Sequence, residues 1–227
     1  MNLYISDTIL EVCPQFRLSA IRCKVVNSPY DAALWEEIDD YIAHFIATTR
    51  MEAIKKRPAI AATREVYKRL GKDPNRYRPS AEALCRRLLK GQGLYRINRL
   101  VDLINLVSLR TGYSIGGFDA DKIAGDLTLG VGMGGEPFEA IGRGMLNIEG
   151  LPVYRDDIGG IGTPTSDEER TKIDLDTKRL LMLINGYSGP EGLDEASEYA
   201  ITLLKKYARA EAIELLPVVY DATMNAH

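Results

Sequence analysis

Histidine is nearly absent from this chain of 227 residues: His44 and His227 are the two it has, and the second is the last residue. His44 lies in EEIDDYIAHFIATTR, where apolar residues recur at helical spacing, so it reads as a surface or packing position on a helix. A Ser-His-Asp or Cys-His mechanism has no suitable histidine, and a histidine-rich metal site falls with it. Cysteine is scarce too. Cys13, Cys23 and Cys85 are an odd number in no C-x-x-C spacing, which argues against a disulfide framework or zinc site and for buried thiols in a reducing compartment. No apolar run approaches the roughly 18 residues of a membrane helix. The first residues, MNLYISDTILEVCPQF, lack the basic and apolar regions of a secretory signal, and the expectation is a cytoplasmic protein without a membrane partner.

What is present is a 45% hydrophobic, 27% charged composition, which excludes disorder, and scattered Gly and Pro, which exclude a rod. The length suits one domain of residues 1–227 with a helical subregion over 31–99. Charge is unevenly spread. Between Arg64 and Arg99 eleven bases stand against Glu65, Asp73 and Glu82, a balance of +8 in a chain of net charge −3, so the remainder carries −11. Such a stretch can be a phosphate-binding face or a solvated helix surface, and Tyr67, Tyr77 and Tyr95 within it suit base stacking or ordinary packing.

The apolar patterning predicts a strand at 16–26 and a long helix over 31–57. Three more helices are expected: 61–70 ending at Gly71, one capped by Ser80 and ending at Gly91, and 95–110 closed by Gly112. From Gly116 the texture becomes glycine-punctuated and β-like. KRLLMLING reads as a buried strand, 193–210 as a last amphipathic helix, and IELLPVVY as an edge strand because Pro217 cannot donate to a ladder. Helices first and last around β pieces predict an α+β fold.

Several motifs have competing readings. Gly130-Val131-Gly132-Met133-Gly134-Gly135 matches G-x-G-x-x-G, but a dinucleotide fingerprint requires a helix to open at the third glycine, so a hairpin turn is the expectation. Asp156, Asp157, Asp167, Glu168, Glu169, Asp174 and Asp176 cluster without EF-hand spacing, and no metal or cofactor is expected. Ser166-Asp167-Glu168-Glu169 also fits a capping box. Asn105, polar within LVDLINLVSL, needs a backbone or ligand partner. Arg170-Thr171 pairs a cation with a hydroxyl, suited to a carboxylate or phosphate or to a plain surface position.

The run from GKDPNRYRPSAEALCRRLL through VDLINLVSL, FDADKIAGDL and GGEPF, with the later GGIG followed by Ser166, Ile173 and Thr177, resembles the B3/B4 domain. That domain is the editing module of the phenylalanyl-tRNA synthetase β-chain and also occurs as short free-standing proteins; the likeness spans roughly 64–187 and reaches back toward FRLSAIRCKVV. The resemblance implies a core of mixed sheet and helices, here with a helical N-terminal insertion, and binding of aminoacylated tRNA (not DNA) with hydrolysis of a mischarged, tRNA-Phe-like species.

It also implies a pocket with Asn105 on its helix and Gly160 and Gly162 in its glycine loop, alongside Gly116, Arg170 and Thr171. Arg76, Arg78, Arg86, Arg87 and Lys90 would meet tRNA phosphates. Two positions depart from the family. Gly116 stands where the synthetase carries histidine, and its pocket glutamate falls on Leu183 if the alignment runs from Thr177, or on Asp176 if it runs from Thr171; the first keeps LLMLI as a strand. The rival reading is a non-catalytic binder of a free amino acid or small carboxylate. If the basic stretch holds phosphates, RNA affinity falls steeply with salt, and Arg86→Ala with Arg87→Ala weakens binding while leaving the fold intact.

Overall fold

The strand Arg179–Gly186 is buried almost throughout, and its side chains divide by alternation. Leu181 and Leu183 enter one apolar cluster, while Leu180, Met182 and Ile184 enter another on the opposite face. A strand covered on both sides needs an apolar residue at every position, which is why RLLMLING reads as a continuous apolar run.

The computed structural model describes residues 1–220. In chain order its strands are β1 (Leu3–Ile5), β2 (Arg17–Lys24), β3 (Ile115–Asp119), β4 (Leu127–Val131), β5 (Glu139–Ala140), β6 (Gly144–Met145), β7 (Pro152–Arg155), β8 (Gly160–Gly162), β9 (Arg179–Gly186), β10 (Glu211–Leu215) and β11 (Val218–Tyr220). Its helices are α1 (Asp7–Val12), α2 (Ala32–Thr48), α3 (Met51–Ile54), α4 (Pro58–Arg69), α5 (Ser80–Leu89), α6 (Arg99–Thr111) and α7 (Leu193–Ala208). One sheet runs β11-β1-β4-β7-β8, a second β10-β2-β9-β3, and β5-β6 form a separate hairpin.

The two larger sheets share a core. Leu3, Ile5, Leu127, Leu129 and Ile161 of the first meet Leu18, Ala20, Phe118, Leu181 and Leu183 of the second. The outer face of the second sheet is covered by α2, α6 and α7 through Leu34, Ile38, Leu103, Val107, Ala200 and Leu204. The result is three layers, α over β over β, which makes the fold mixed α+β as expected. No helix among the described residues is long and apolar enough to cross a membrane. Cys13, Cys23 and Cys85 are free and buried, and desolvation pushes the Cys23 thiol up to about 11.

Several element boundaries differ from the sequence-based expectation. The helix over 31–57 breaks at Thr49, whose backbone is extended, because the apolar stripe lapses at Thr48-Thr49-Arg50 and the chain must turn to bring Ile54 against Phe45 and Cys85. The helix expected from 95 begins at Arg99: Asn98 caps it by accepting from the Val101 N–H at 3.1 Å. Ser80 is the first helical residue rather than a cap, since Pro79 occupies the cap position and the Ser80 N–H donates to the Pro164 carbonyl. Ser166 caps nothing; the short 3-10 turn Glu169–Thr171 is capped by Glu168.

IELLPVVY is two strands in two sheets. Pro217 ends β10, which lies on β2, and β11 then adds in parallel to β1. After Gly135 the chain leads into β5 without a helix, so the glycine-rich run is a turn; a Cβ on Gly132 would sit 2.0 Å from the Ile148 carbonyl oxygen.

The basic helices are held by one buried acid. Glu82, fully buried in α5, accepts from Arg64 Nη1 of α4 and from Arg86 Nε, each at 2.8 Å, with Arg78 Nε at 3.8 Å. Removing it leaves half-buried guanidinium groups without their counter-charge. Glu82→Ala is expected to cost about 3–5 kcal/mol, read as a shift of the urea unfolding midpoint.

Candidate functional site: a two-chambered pocket

One stripe of α6 (Val101, Ile104, Asn105 and Ser108) faces a cavity of about 150 Å³. These positions follow the i, i+3, i+4, i+7 rule for a single helix face. Ser80 and Leu84 of α5 close one side, Ile115 and Gly117 of β3 another, and Thr163, Ser166, Asp167 and Ile173 complete it. Glycine at 117 lets Ile104 come close: a Cβ there would lie 2.6 Å from Ile104 Cδ1, and that side chain would have to shift. A hole of this size holds a benzene-sized group. The Asn105 amide makes no hydrogen bond with any described residue, so the backbone partner open to it in the sequence is not used, and the half-buried side chain lines the cavity.

Asp167 is the one ionisable side chain among the described residues that line this chamber. β3 is the edge strand of its sheet, so the Gly117 N–H has no ladder partner and donates to Asp167 Oδ2 at 3.3 Å. No cation among the described residues pairs with this carboxyl. Burial outweighs the single N–H it accepts and raises its pKa to about 7. Glycines make its room: a Cβ on Gly162 would lie 2.8 Å from Asp167 Oδ1 and 2.5 Å from the Phe118 ring, and one on Gly116 would lie 2.7 Å from that ring and 3.8 Å from the carboxyl.

A second, outer groove of about 380 Å³ adjoins the first through shared walls at Ser80, Leu84 and Asn105. Its other lining includes Arg78, Arg86, Arg87, Lys90, Tyr95 and Arg143. The inner chamber is thus acidic and the outer groove basic, joined at Asn105.

The residues singled out by sequence separate in space. Asn105 lines both chambers; Arg78, Arg86, Arg87 and Lys90 line the outer one; Arg76 stands outside, near the Tyr77 ring. Gly116 turns away from the inner chamber toward Phe118, and its neighbour Gly117 takes the lining position. Gly162 makes room for Asp167, whereas a Cβ on Gly160 would press on Phe138 and Val153. Arg170 lines neither chamber; it grips both oxygens of Asp156 at 3.0 and 2.9 Å. Thr171 is fully buried, its hydroxyl without a partner among the described residues. Leu183, the Thr177-register candidate for the family's glutamate, pairs across the ladder with Gly116 on the same apolar face, while Asp176 is exposed.

Arg86 and Arg87 are partly committed to structure: Arg86 to Glu82, and Arg87 to the Gly93 carbonyl at 2.7 Å and the Tyr95 ring at 3.9 Å. Their joint removal is therefore expected to loosen contacts of α5 as well as to remove two groove cations. Of the three tyrosines, Tyr67 is buried against Thr165 and Tyr77 lies under Lys72, which leaves Tyr95 open. His44 is exposed on α2 and lines neither chamber; His227 lies outside the described residues. Among the described residues no three acidic, histidine or cysteine side chains converge as a metal site, because Asp156 is taken by Arg170 and Asp174 by Lys122. Sequence reasoning missed Asp167 and Arg143. Asp167 was visible only as one acid in a cluster, and Arg143 lies far from the basic run.

Two packed sheets with helices over one of them, and a small chamber opening into a basic groove, define an α+β domain of the two-sheet, helix-covered class. The chain belongs to the B3/4 domain family, whose model matches residues 62–209 and takes in every residue lining the two chambers. Over 104 residues it is 33% identical to the phenylalanine–tRNA ligase beta subunit of Bartonella henselae, a stretch covering 41% of this chain and 12% of that protein. The fold is also that of an N-terminal fragment of the phenylalanyl-tRNA synthetase beta-subunit from Pyrococcus horikoshii. There the TM-score is 0.57 at 15% identity, over 97% of this chain and 52% of the fragment. The chain therefore spans about half the length of that fragment and about an eighth of the Bartonella protein.

Asp167 gives the site a pH signature. Its folded-state pKa is raised above the ordinary carboxyl value, so the protonated form favours folding, and that contribution fades as pH rises from about 4 through about 7. Asp167→Asn is expected to gain stability over the parent at pH 8 and to lose that advantage near pH 4, measured by thermal unfolding at both.

Proposed function

We propose that this chain binds aminoacylated tRNA and hydrolyses the ester of a mischarged, tRNA-Phe-like species. The observation that carries this reading is the junction of the two chambers at Ser80, Leu84 and Asn105. A ligand filling both needs a compact head joined by a short link to an anionic body, which is the make-up of an amino acid esterified to the end of an RNA. The 150 Å³ chamber takes the side chain. Its apolar walls at Ile104, Ile115 and Ile173 favour an apolar or aromatic body, and Asp167 offers a partner to a donor at the far end. An unmatched Asp167 disfavours side chains that lack such a donor.

The chemistry suits a site with no histidine. Asn105 lies at the junction, where the ester sits, and its amide N–H supports the oxygen that gains charge as water adds to the carbonyl. Water attacks the carbonyl carbon, the carbon–oxygen bond to the ribose breaks, and the proton given up by the water ends on the ribose oxygen that leaves. The neighbouring ribose hydroxyl of the substrate and backbone groups position the water. This work belongs in the cytoplasm, where charged tRNA is used.

The rival is a binder of a free amino acid or small carboxylate with no RNA partner. Gly116 and Leu183, at the positions of the synthetase's polar pocket residues, favour it. Against it, Asp167 is the one ionisable side chain among the described residues lining the inner chamber, so that chamber offers no cation to a small carboxylate.

A panel of correctly and wrongly charged tRNAs, incubated with the purified protein, separates the two. Selective loss of one mischarged species, slowed about a hundredfold by Asn105→Ala, is the expected result. No hydrolysis across the panel, together with calorimetric binding of a free amino acid, would replace the editing reading with the binding one.

A further inference from the structure

The outer groove has two walls from distant parts of the chain. One is α5, whose basic side chains the sequence displays as a run. The other is the β5–β6 hairpin, which contributes Arg143. Most cations near α5 are already engaged: Arg86 with Glu82, Arg87 with the Gly93 carbonyl and the Tyr95 ring, Lys72 with the carbonyls of Asn147 and Glu149. Lys90 and Arg143 differ. Both are exposed, both line the groove, and neither side chain has an ion pair or hydrogen bond with any described residue.

Unpaired cations lining one groove repel each other, and an anion bound there relieves that repulsion. Tyr95, 66% exposed, lines the same groove. One ring face carries the Arg87 guanidinium, which leaves the other for a flat partner, and that cation polarises the ring. A phosphate flanked by a base is the ligand with both features.

The hairpin is also tied to the inner chamber. The Ile141 N–H donates to the Asp167 carbonyl oxygen at 3.0 Å, and Ala140 bridges to Glu168. The backbone that places Arg143 is therefore bonded to the residue whose side chain lines the acidic chamber.

We propose that the groove between α5 and the β5–β6 hairpin holds the unpaired 3′ strand of the RNA, with a phosphate between Lys90 and Arg143 and a base on the open face of Tyr95. This rests on the aminoacyl-tRNA reading above and extends it to an element outside the basic stretch. The hairpin is the second jaw of the groove, and its backbone bond to Asp167 ties that jaw to the inner chamber.

The test is binding of a fluorescently labelled RNA hairpin ending in an unpaired CCA, measured by anisotropy across a salt series on the full chain. Each phosphate contact on a single strand contributes about 0.7 to the slope of log affinity on log salt. Lys90→Ala and Arg143→Ala are each expected to lower that slope, and removing both is expected to lower it by about 0.7, which at 0.1 M salt is about a fivefold loss. Tyr95→Ala is expected to lose about tenfold with the slope unchanged. Lys205→Ala, an exposed cation on α7, serves as the control and leaves binding as it was. Both groove cations are exposed and unpartnered, so unchanged melting temperatures confirm intact folds. Parent-like slopes in Lys90→Ala and Arg143→Ala, with RNA still bound, overturn the two-jaw groove and leave the editing reading standing. No RNA binding by the parent chain overturns both.

Discussion

The burial of β9 on both faces is the constraint from which the rest of the architecture follows. An eight-residue strand whose alternate side chains serve two different cores must lie inside its sheet, with β2 on one side and β3 on the other. One face then needs a second sheet and the other needs helices, which makes the three layers a consequence of RLLMLING rather than an independent choice. The same pairing leaves β3 at an edge. An edge strand has amides with no ladder partner, and this fold gives one of them, from Gly117, to the carboxyl of Asp167. The candidate site is built on the unfinished side of the sheet.

Glycine in β3 has two separate uses. Gly117 lets Ile104 approach and so sets the depth of the inner chamber, while Gly116 yields its space on the other face to the Phe118 ring. Phe118 in turn fills the layer between the sheets, where Leu183 lies directly across from Gly116. Gly116 and Leu183 are ladder neighbours on one face, and that face is closed with apolar atoms. With a large residue at 116 excluded by Phe118, a glutamate at 183 would face hydrocarbon with no partner.

How much of this was legible in sequence depends on whether the signal was local. β2, β9 and α7 were readable because their periods persist over eight residues or more. Asn105 was readable for the same reason, as the polar exception in an apolar helix. The ends of α2 and α6 were misread where apolar spacing lapsed or where a capping asparagine was passed over. Asp167 was not readable, because its partner Gly117 lies 50 residues away and its neighbours form an acidic cluster with an ordinary capping interpretation. The role of Glu82 was equally hidden. Three arginines around it looked like a nucleic-acid face, whereas two of them neutralise a buried carboxylate, so counting bases along the chain overstated the cations free to meet a phosphate.

That last point changes what the charge asymmetry means. A balance of +8 between Arg64 and Arg99 invites the picture of a uniformly basic helical surface. The structure spends much of that charge internally: Arg64 and Arg86 on Glu82, Lys72 on backbone carbonyls, Arg99 on Asp31. The cations left unpaired beside the pocket are few, and one of them, Arg143, comes from a different part of the chain. A recognition surface is set by charges left without partners rather than by charges present, because only the unpaired ones gain when an anion arrives. By that criterion the cations that count are Lys90 and Arg143 of the outer groove, beside a chamber lined by Asp167, and a net-charge reading of the sequence has no means of expressing that arrangement.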